Sequence, residues 1–459
     1  MIGFWLWLSV AMVVGSLALI YWTSRNLFAP LNIAVMFIVL NYVGCLMVMD
    51  LNPPLVIRLV VLVALGIFCC ALGALAARWW LHHDPRKELR AFRAREAGSW
   101  FNSQTFFTMA LYAFIILGMA TVVFFFVRAG VPLLSPDVNI AKVEAPRQGG
   151  YLPMRFMRLF LPLLLMIYFV GYRRMVRPNR VVAAFAVIFL LVAFTLFGYR
   201  GYILNFFLLP FIILMAYQRV SKRTLALLGT AGAASALTIT AVAWQETSFG
   251  VLWQILSQRI FLAEVFDGII PIFYRLVPTV GFLHGQGFLM DIPAVFARVG
   301  IGPAATENFA QYLARMNLGQ NIFDVQAAPT LIGEAYANFG YPGVVAILFL
   351  FGFLLQWIYI KTLRGPKDAF FLPLIVAIQH SLLVAAHGPF VFMILDAGGS
   401  LLIFTTIFVL LYVFWSLPKG GPRFRKLLPG VYPRAQGAPP ARPPNPQPYP
   451  RTRWVWPRP

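Results

Sequence analysis

Charged side chains are scarce in this sequence. Only 11% of its 459 residues are Asp, Glu, Lys or Arg, whereas 60% are hydrophobic. Ordinary soluble domains carry about 25% charged residues, so this composition excludes a soluble domain of such length. Apolar runs long enough to cross a bilayer core, which takes about 20 residues in a helix, recur along the chain. We therefore predict an all-α polytopic membrane protein.

Cysteine and several catalytic signatures are also scarce or missing. The three cysteines, Cys45, Cys69 and Cys70, all fall inside apolar runs, so we expect them to pack as small hydrophobic residues without forming a disulfide. The sequence contains no metal-ligand spacing, no Gly-rich phosphate loop and no internal repeat. Without these signatures, we expect no cofactor.

Eleven apolar runs are the predicted membrane spans. The first run lacks a basic start and a small-residue cleavage site, so we interpret it as a retained helix rather than a signal peptide. The predicted spans are 2–22, 31–49, 56–78, 104–127, 154–172, 181–198, 202–218, 224–244, 341–360, 369–387 and 391–416.

The basic residues are distributed unevenly between alternate connections. One set of connections holds 26 of the 37 Lys and Arg residues and four of the 15 acidic residues, which accounts for the whole net charge of +22. Cytoplasmic loops carry such an excess, so we predict a periplasmic N-terminus, a cytoplasmic C-terminus and no nucleic-acid partner. This set comprises Arg25, residues 78–103, 173–180, 218–223 and 361–368, and the tail from Lys419.

The spans divide the chain into four predicted regions. Residues 1–244 carry spans one to eight, residues 245–338 form a long periplasmic loop, and residues 339–418 carry spans nine to eleven. The tail, 419–459, is rich in Pro and Arg and is expected to be disordered in the cytoplasm. Within the loop, residues 250–270 fit an amphipathic helix whose polar arc contains Arg259, Glu264 and Asp267.

Arginines on the predicted outer face are candidates for binding phosphate, because the guanidinium fork suits bidentate contact with phosphate oxygens. Arg200, in "TLFGYRGYILNFF" (195–207), is fixed by a short turn between two apolar runs. Arg155 and Arg158 lie three residues apart on one helix face. The candidate binding residues on this face also include Arg147 and Arg259. Arg58 and Arg128 fit helix-end anchors better.

Glu334 is the candidate general base, because it lies in a stretch containing Gly and Tyr just before the ninth span. The alternative is a structural carboxylate that favours a helix start or pairs with an arginine. His284 and His387 are further candidate bases, and Tyr336 is a candidate contact to substrate.

Three segments resemble the Wzy-type polymerases that join O-antigen and oligosaccharide repeat units in bacterial inner membranes. They are "FGYRGYIL" (197–204), "GQGFLMDIPAVFARVG" (285–300) and "PTLIGEAYANFGYPG" (329–343). The resemblance implies metal-independent glycosyl transfer between undecaprenyl-diphosphate-linked repeat units at the periplasmic face. Glu334 and Arg200 are then the expected catalytic residues. Arg147, Arg155, Arg158, Arg259, His284 and Tyr336 are then the expected contacts to diphosphate and glycan. A chain-length regulator and a flippase are candidate partners.

Two other functions stay open at this point. An O-antigen ligase would use the same donor with a lipid A-core acceptor, but the setting of His284 in "HGQG" does not match the histidine expected of a ligase. A lipid-linked oligosaccharide flippase or another transporter needs a charged path and usually two related halves. The span interiors here are nearly free of charge and show no repeat.

Overall fold

The structure, a computed structural model, describes residues 2–49, 53–95, 104–138, 177–198, 209–217, 221–298, 306–318, 327–367 and 371–416, with residues 141, 144, 145 and 148. Within these ranges every regular element is a helix, so the protein is an all-α polytopic membrane protein as predicted. The helices are α1 (Ile2–Ser24), α2 (Pro30–Met47), α3 (Pro53–Trp80), α4 (Pro85–Ala94), α5 (Gln104–Ala129), α6 (Arg177–Leu196), α7 (Leu209–Leu214), α8 (Lys222–Trp244), α9 (Phe249–Phe261), α10 (Val277–Val280), α11 (Gln286–Arg298), α12 (Phe309–Leu318), α13 (Thr330–Arg364), α14 (Phe371–Ala385) and α15 (Phe390–Ser416).

Seven of the described helices are long and apolar enough to cross a bilayer, namely α1, α2, α3, α5, α6, α13 and α15. They coincide with seven of the predicted spans. Helix α8 covers the eighth predicted span, and α14 is a shorter apolar helix within the tenth. The fifth predicted span and residues 202–208 of the seventh lie outside the described residues, as does the tail 419–459. The count of eleven spans therefore stays a prediction.

Helices α1, α2, α3 and α13 form the packed centre of the bundle. Helix α3 has α13 along one side and α1 along another. Gly73 and Gly352 allow the close approach of α3 and α13, because a Cβ at either position would collide with the backbone of the other helix. Cys70 lies at this contact, and both it and Cys69 are free and buried.

Helix α13 is longer than a bilayer core requires. Its 35 residues would extend about 52 Å at 1.5 Å per residue, whereas a hydrocarbon core is about 30 Å thick. A kink at Gly340, whose φ is 66°, divides the helix, and Pro342 follows. The kink coincides with the predicted start of the ninth span at 341. Glu334 and Tyr336 therefore lie in a separate segment on the N-terminal side of the kink.

Three of the basic connections, at Arg25, 78–95 and 361–367, meet at one end of the bundle, called here the basic end. Arg364, at the end of α13, pairs with Glu88 of α4 at 2.7 Å. The guanidinium of Arg78, near the end of α3, lies 3.5 Å from the centre of the Trp22 ring on α1. The start of α13 and the turn between α14 and α15 lie at the opposite end, called here the site end.

The amphipathic helix predicted over 250–270 is only partly correct. Helix α9 ends at Phe261, and wide π-helical turns follow at Val265–Ile269 and Ile272–Leu276. Arg259 and Asp267 share an exposed face as expected and lie 3.8 Å apart. Glu264 does not share that face, because its carboxylate bonds to His387 in the turn before α15. A shared polar arc requires a regular turn of 100° per residue, and the break in the helix removes that regularity.

Candidate functional site

The turn "AHGPF" (386–390) lies against the start of α13. The backbone N–H of Leu331 donates to the carbonyl oxygen of Ala386 at 2.9 Å. The N–H of Phe390, the first residue of α15, donates to Oε2 of Glu334 at 2.7 Å. Glu334 is thereby fixed one turn into α13, with its carboxylate at the N-terminus of α15.

A second buried carboxylate reaches the same helix N-terminus. Oδ2 of Asp291, in α11, accepts from the N–H of Phe392 at 2.9 Å, and its Oδ1 accepts from the N–H of Phe309 at 3.0 Å. Asp291 and Glu334 are both 0% exposed. The unpaired N–H groups and the dipole of α15 favour negative charge at this position. Two elements distant in sequence therefore place a carboxylate at one helix start.

The two oxygens of Glu334 have different surroundings. Oε2 has its N–H donor, whereas Oε1 is buried and accepts no hydrogen bond from any residue that the structure describes. A buried carboxylate oxygen without a donor is rare in folded proteins. Glu334 thus combines a structural contact through one oxygen with a second oxygen that is free to accept a proton.

An ion pair lies on the other side of the same turn. Nδ1 of His387 is 2.7 Å from Oε1 of Glu264, and the His387 ring packs edge-on against Phe37 at 4.8 Å between ring centres. Burial opposes charge on both groups, but their mutual attraction and hydrogen bond outweigh it. The pair therefore lowers the pKa of Glu264 and raises the pKa of His387.

Asn338 connects α13 to the segment "FLHGQGF" (282–288). Its Nδ2 donates to the carbonyl oxygen of Glu334 at 2.8 Å, and its Oδ1 accepts from the N–H of Gly287 at 3.0 Å. The backbone N–H of His284 donates to the Asn338 carbonyl oxygen at 2.9 Å. The side chain of His284 is exposed. The predicted site residues His284 and Glu334 therefore belong to one hydrogen-bonded region of the site end.

Tyr336 lies in an aromatic cluster beside a cation. Its ring stacks on Phe273 at 4.8 Å and meets Phe282 and Tyr341 edge-on at 5.9 and 5.5 Å. The positive charge of Arg58 acts on Tyr336, Tyr341 and a third hydroxyl, that of Tyr274. Burial raises the pKa of Tyr274, and Arg58 opposes this shift. The positive charge of Arg58, a residue interpreted from the sequence as a helix anchor, thus reaches the tyrosines of the site end.

Arg259 lies in a different concavity. With Trp244 and Asp267 it lines a groove of about 520 Å³ beside α8 and α9. No residue of segments 282–288 or 386–390 is among its described lining residues. The structure therefore does not bring Arg259 together with Glu334.

Four predicted site residues, Arg147, Arg155, Arg158 and Arg200, lie outside the described residues. Sequence reasoning did not single out Asp291 or the pairing of Glu264 with His387. Asp291 occurs inside the quoted segment 285–300, but nothing in its spacing indicates that it shares a helix N-terminus with Glu334. That meeting depends on hydrogen bonds between residues that lie 56 and 101 positions apart along the chain.

The site end is suited to proton transfer and to binding sugars and anions. It offers a buried carboxylate oxygen without a donor, a histidine–glutamate pair and an aromatic surface beside an arginine. Across the part of the chain that the structure describes, no three His, Cys, Asp or Glu side chains are grouped so that they could share a metal ion.

Comparison with known families gives one match. Residues 27–395 match the family model described as "Putative O-antigen polymerase". The match includes the whole site end, from Arg58 to Phe392. Comparisons with curated proteins and with solved structures gave no match.

Proposed function

The chain belongs to the O-antigen polymerase family, and from this premise we propose that it joins undecaprenyl-diphosphate-linked repeat units at the periplasmic face of the inner membrane. The proposed reaction is a metal-independent glycosyl transfer that lengthens a surface polysaccharide. The family assignment supports a polysaccharide product. The two oxygens of Glu334, one bonded to a backbone N–H and one without a donor among the described residues, support its role in glycosyl transfer.

In the proposed mechanism Glu334 is the general base. Its Oε1 accepts the proton of an acceptor sugar hydroxyl, and the resulting oxygen attacks the anomeric carbon of the donor sugar. The bond from that carbon to the lipid diphosphate breaks, and Arg200 stabilises the departing charge. Oε2 keeps its hydrogen bond to Phe390, so the carboxylate stays oriented. Because Glu334 is 0% exposed, the acceptor reaches Oε1 only when turn 386–390 or segment 282–288 moves.

The remaining predicted residues have binding roles in this proposal. Arg147, Arg155 and Arg158 contact the diphosphate, and Arg259 contacts the growing glycan in its own groove. Tyr336 and His284 contact sugars at the site end, where aromatic faces and exposed polar groups lie together. We add Arg58 to these binding residues because its positive charge acts on Tyr336, Tyr341 and Tyr274.

The test is extension of a purified lipid-linked repeat unit, with products separated on a gel. General base catalysis contributes about 10²–10⁴-fold, so we expect Glu334→Gln to lose about that much activity at normal protein level. The glutamine keeps an oxygen for the Phe390 N–H, so a purely structural Glu334 predicts a loss of well under tenfold. A product ladder formed without lipid A-core also distinguishes polymerase from ligase.

Asp291→Asn is the matched control. Asp291 is equally buried and contacts the same helix, but both of its oxygens accept backbone N–H groups. We expect its loss of activity to be much smaller than that of Glu334→Gln. Near-normal products from Glu334→Gln, or equal losses in two variants of equal protein level and unfolding temperature, would contradict the base role.

A further inference from the structure

A second concave surface lies at the basic end, at the opposite end of α13 from Glu334. It is a groove of about 790 Å³ between α4, the end of α1 and the connection after α13. Tyr217 and Leu89 contribute to its lining. Five of its described lining residues are cations and none is acidic: Arg25, Arg86, Arg90, Arg93 and Lys367.

Helix α4 presents three of these cations as a stripe. Asp84 caps the helix by accepting from the N–H groups of Arg86 and Lys87, and Leu89 and Phe92 are buried, which fixes the rotation of the helix. Arg86, Arg90 and Arg93 follow the spacing i, i+4, i+7 and share one face. Like charges at such spacing repel each other.

The described carboxylate nearest in sequence to this stripe is engaged elsewhere. Glu88 pairs with Arg364 at 2.7 Å and with His83 at 2.9 Å. The side chains of Arg86, Arg90 and Arg93 form no ion pair with any residue in the described ranges. Among the described residues, therefore, no ion pair offsets the positive charge that the stripe presents towards the groove.

Arg25 is positioned by a buried polar network. Its φ of 50° lies in the left-handed region, which is unfavourable for a residue with a side chain. The next residue, Asn26, is buried, and its Nδ2 donates to the carbonyl oxygen of Ala216 at 2.9 Å and to the hydroxyl of Tyr359 at 3.1 Å. This strained residue lines the concave charged surface, and strained backbone positions are enriched at functional sites.

The simplest alternative is that these residues act only as topology signals. Such a signal needs positive charge near the membrane but no convergence of side chains. Arg78 and Lys361 fit this description, since each packs over a tryptophan ring, Trp22 and Trp357 respectively. The groove residues differ because they come from three separate parts of the chain and surround one space.

We propose that this groove binds a phosphate ester or diphosphate group. The guanidinium forks supply paired donors for phosphate oxygens. A volume of about 790 Å³ lies within the range of about 300–1,000 Å³ that holds small-molecule ligands. Basic pockets between helices on the cytoplasmic side bind anionic lipid headgroups, and this is the side predicted for the groove. The phosphate comes from an anionic phospholipid headgroup or from a soluble phosphate compound.

Three probes distinguish these sources on the full chain purified in a zwitterionic detergent. They are short-chain phosphatidylglycerol, phosphatidylcholine of the same chain length and inorganic pyrophosphate, and the measurement is the shift in unfolding temperature during titration. Saturable stabilisation by phosphatidylglycerol, with none by phosphatidylcholine, indicates a lipid headgroup. Saturable stabilisation by pyrophosphate alone indicates a soluble ligand. The proposal is overturned if neither phosphatidylglycerol nor pyrophosphate raises the unfolding temperature more than phosphatidylcholine does.

Two double variants separate the groove from general surface charge. Arg90→Gln with Arg93→Gln removes two groove cations, and we expect the affinity for the anion to fall at least about tenfold. Lys87→Gln with Lys361→Gln removes the same charge from the basic end outside the groove, and we expect wild-type affinity. Equal weakening in both double variants overturns the proposal. If the first double variant does not fold, single Arg90→Gln compared with single Lys87→Gln makes the same test.

Discussion

The ion pair between Glu264 and His387 connects the π-helical turns after α9 to the turn before α15. Both side chains are about one quarter exposed, at 26% and 24%. Because Phe390, three residues after His387, donates to Glu334, a change in this pair bears directly on the site end.

The pair predicts a specific pH dependence of stability. Because the pKa of His387 is raised, the stability that this residue contributes is fully present below its ordinary pKa of 6.5. That stability is lost as pH rises through the higher pKa of the folded state. Because the pKa of Glu264 is lowered, the stability that this residue contributes is present above its ordinary pKa of 4.5. That stability is lost as pH falls through the lower pKa of the folded state. We expect the pair to stabilise the protein most between pH 4.5 and 6.5.

The measurement is the unfolding temperature of detergent-purified protein across this pH range and above it. His387→Gln should abolish the extra stability in that window and change little at high pH. His284→Gln is the control, since the described hydrogen bond of His284 is made by its backbone and its side chain is exposed. A wild-type profile that matches the His387→Gln profile would show that the pair adds no stability.

Helix packing at the centre of the bundle depends on glycine where α3 meets α13. A Cβ at Gly352 would collide with the backbone of Cys70, and no flexible side chain is available to move aside. Membrane helices associate through such small residues because lipid gives little hydrophobic drive for helix–helix contact.

Gly352→Ala should therefore destabilise the protein by about 1–3 kcal/mol, the usual cost of overpacking. Gly398→Ala in α15 is the control, since a Cβ there meets nothing within 4 Å. We expect that change to be neutral or to stabilise by about 0.5–1 kcal/mol, as alanine does in helices. Thermal unfolding in detergent compares the two variants, and equal stability would show that α3 and α13 can separate without cost.

Orientation in the membrane decides which side of the bilayer each end of the molecule faces. The groove of the basic end and the carboxylates of the site end lie at opposite ends of α13. If the charge distribution sets the topology as predicted, the proposed joining of repeat units takes place on the periplasmic side and the proposed phosphate site faces the cytoplasm.

Reporter fusions after Ala304 and after Lys419 test this orientation. We expect the first to report the periplasm and the second the cytoplasm, because residues 245–338 carry the predicted loop and the tail follows the last span. A fusion after Lys87, in α4, should agree with the one after Lys419. Fusions at Ala304 and Lys419 that report the same side would overturn both the span count and the assignment of the site end to the periplasm.

The sequence by itself determined the helical membrane fold and seven of the spans. Apolar runs of spanning length have few alternatives to a helix in lipid, since every backbone polar group must be paired within the segment. It also singled out Glu334, because this carboxylate lies in a stretch containing Gly and Tyr just before an apolar span.

Only the tertiary structure decided what these residues contact. It brought Asp291 and Glu334 to one helix start, turned Glu264 towards His387, placed Arg58 beside Tyr336 and left Arg259 in a separate groove. Each of these outcomes depends on packing between elements far apart in the chain or on a break in helical periodicity at Leu262–Glu264. Residue spacing describes one regular helix at a time. It therefore cannot predict contacts between distant elements or a break within a helix.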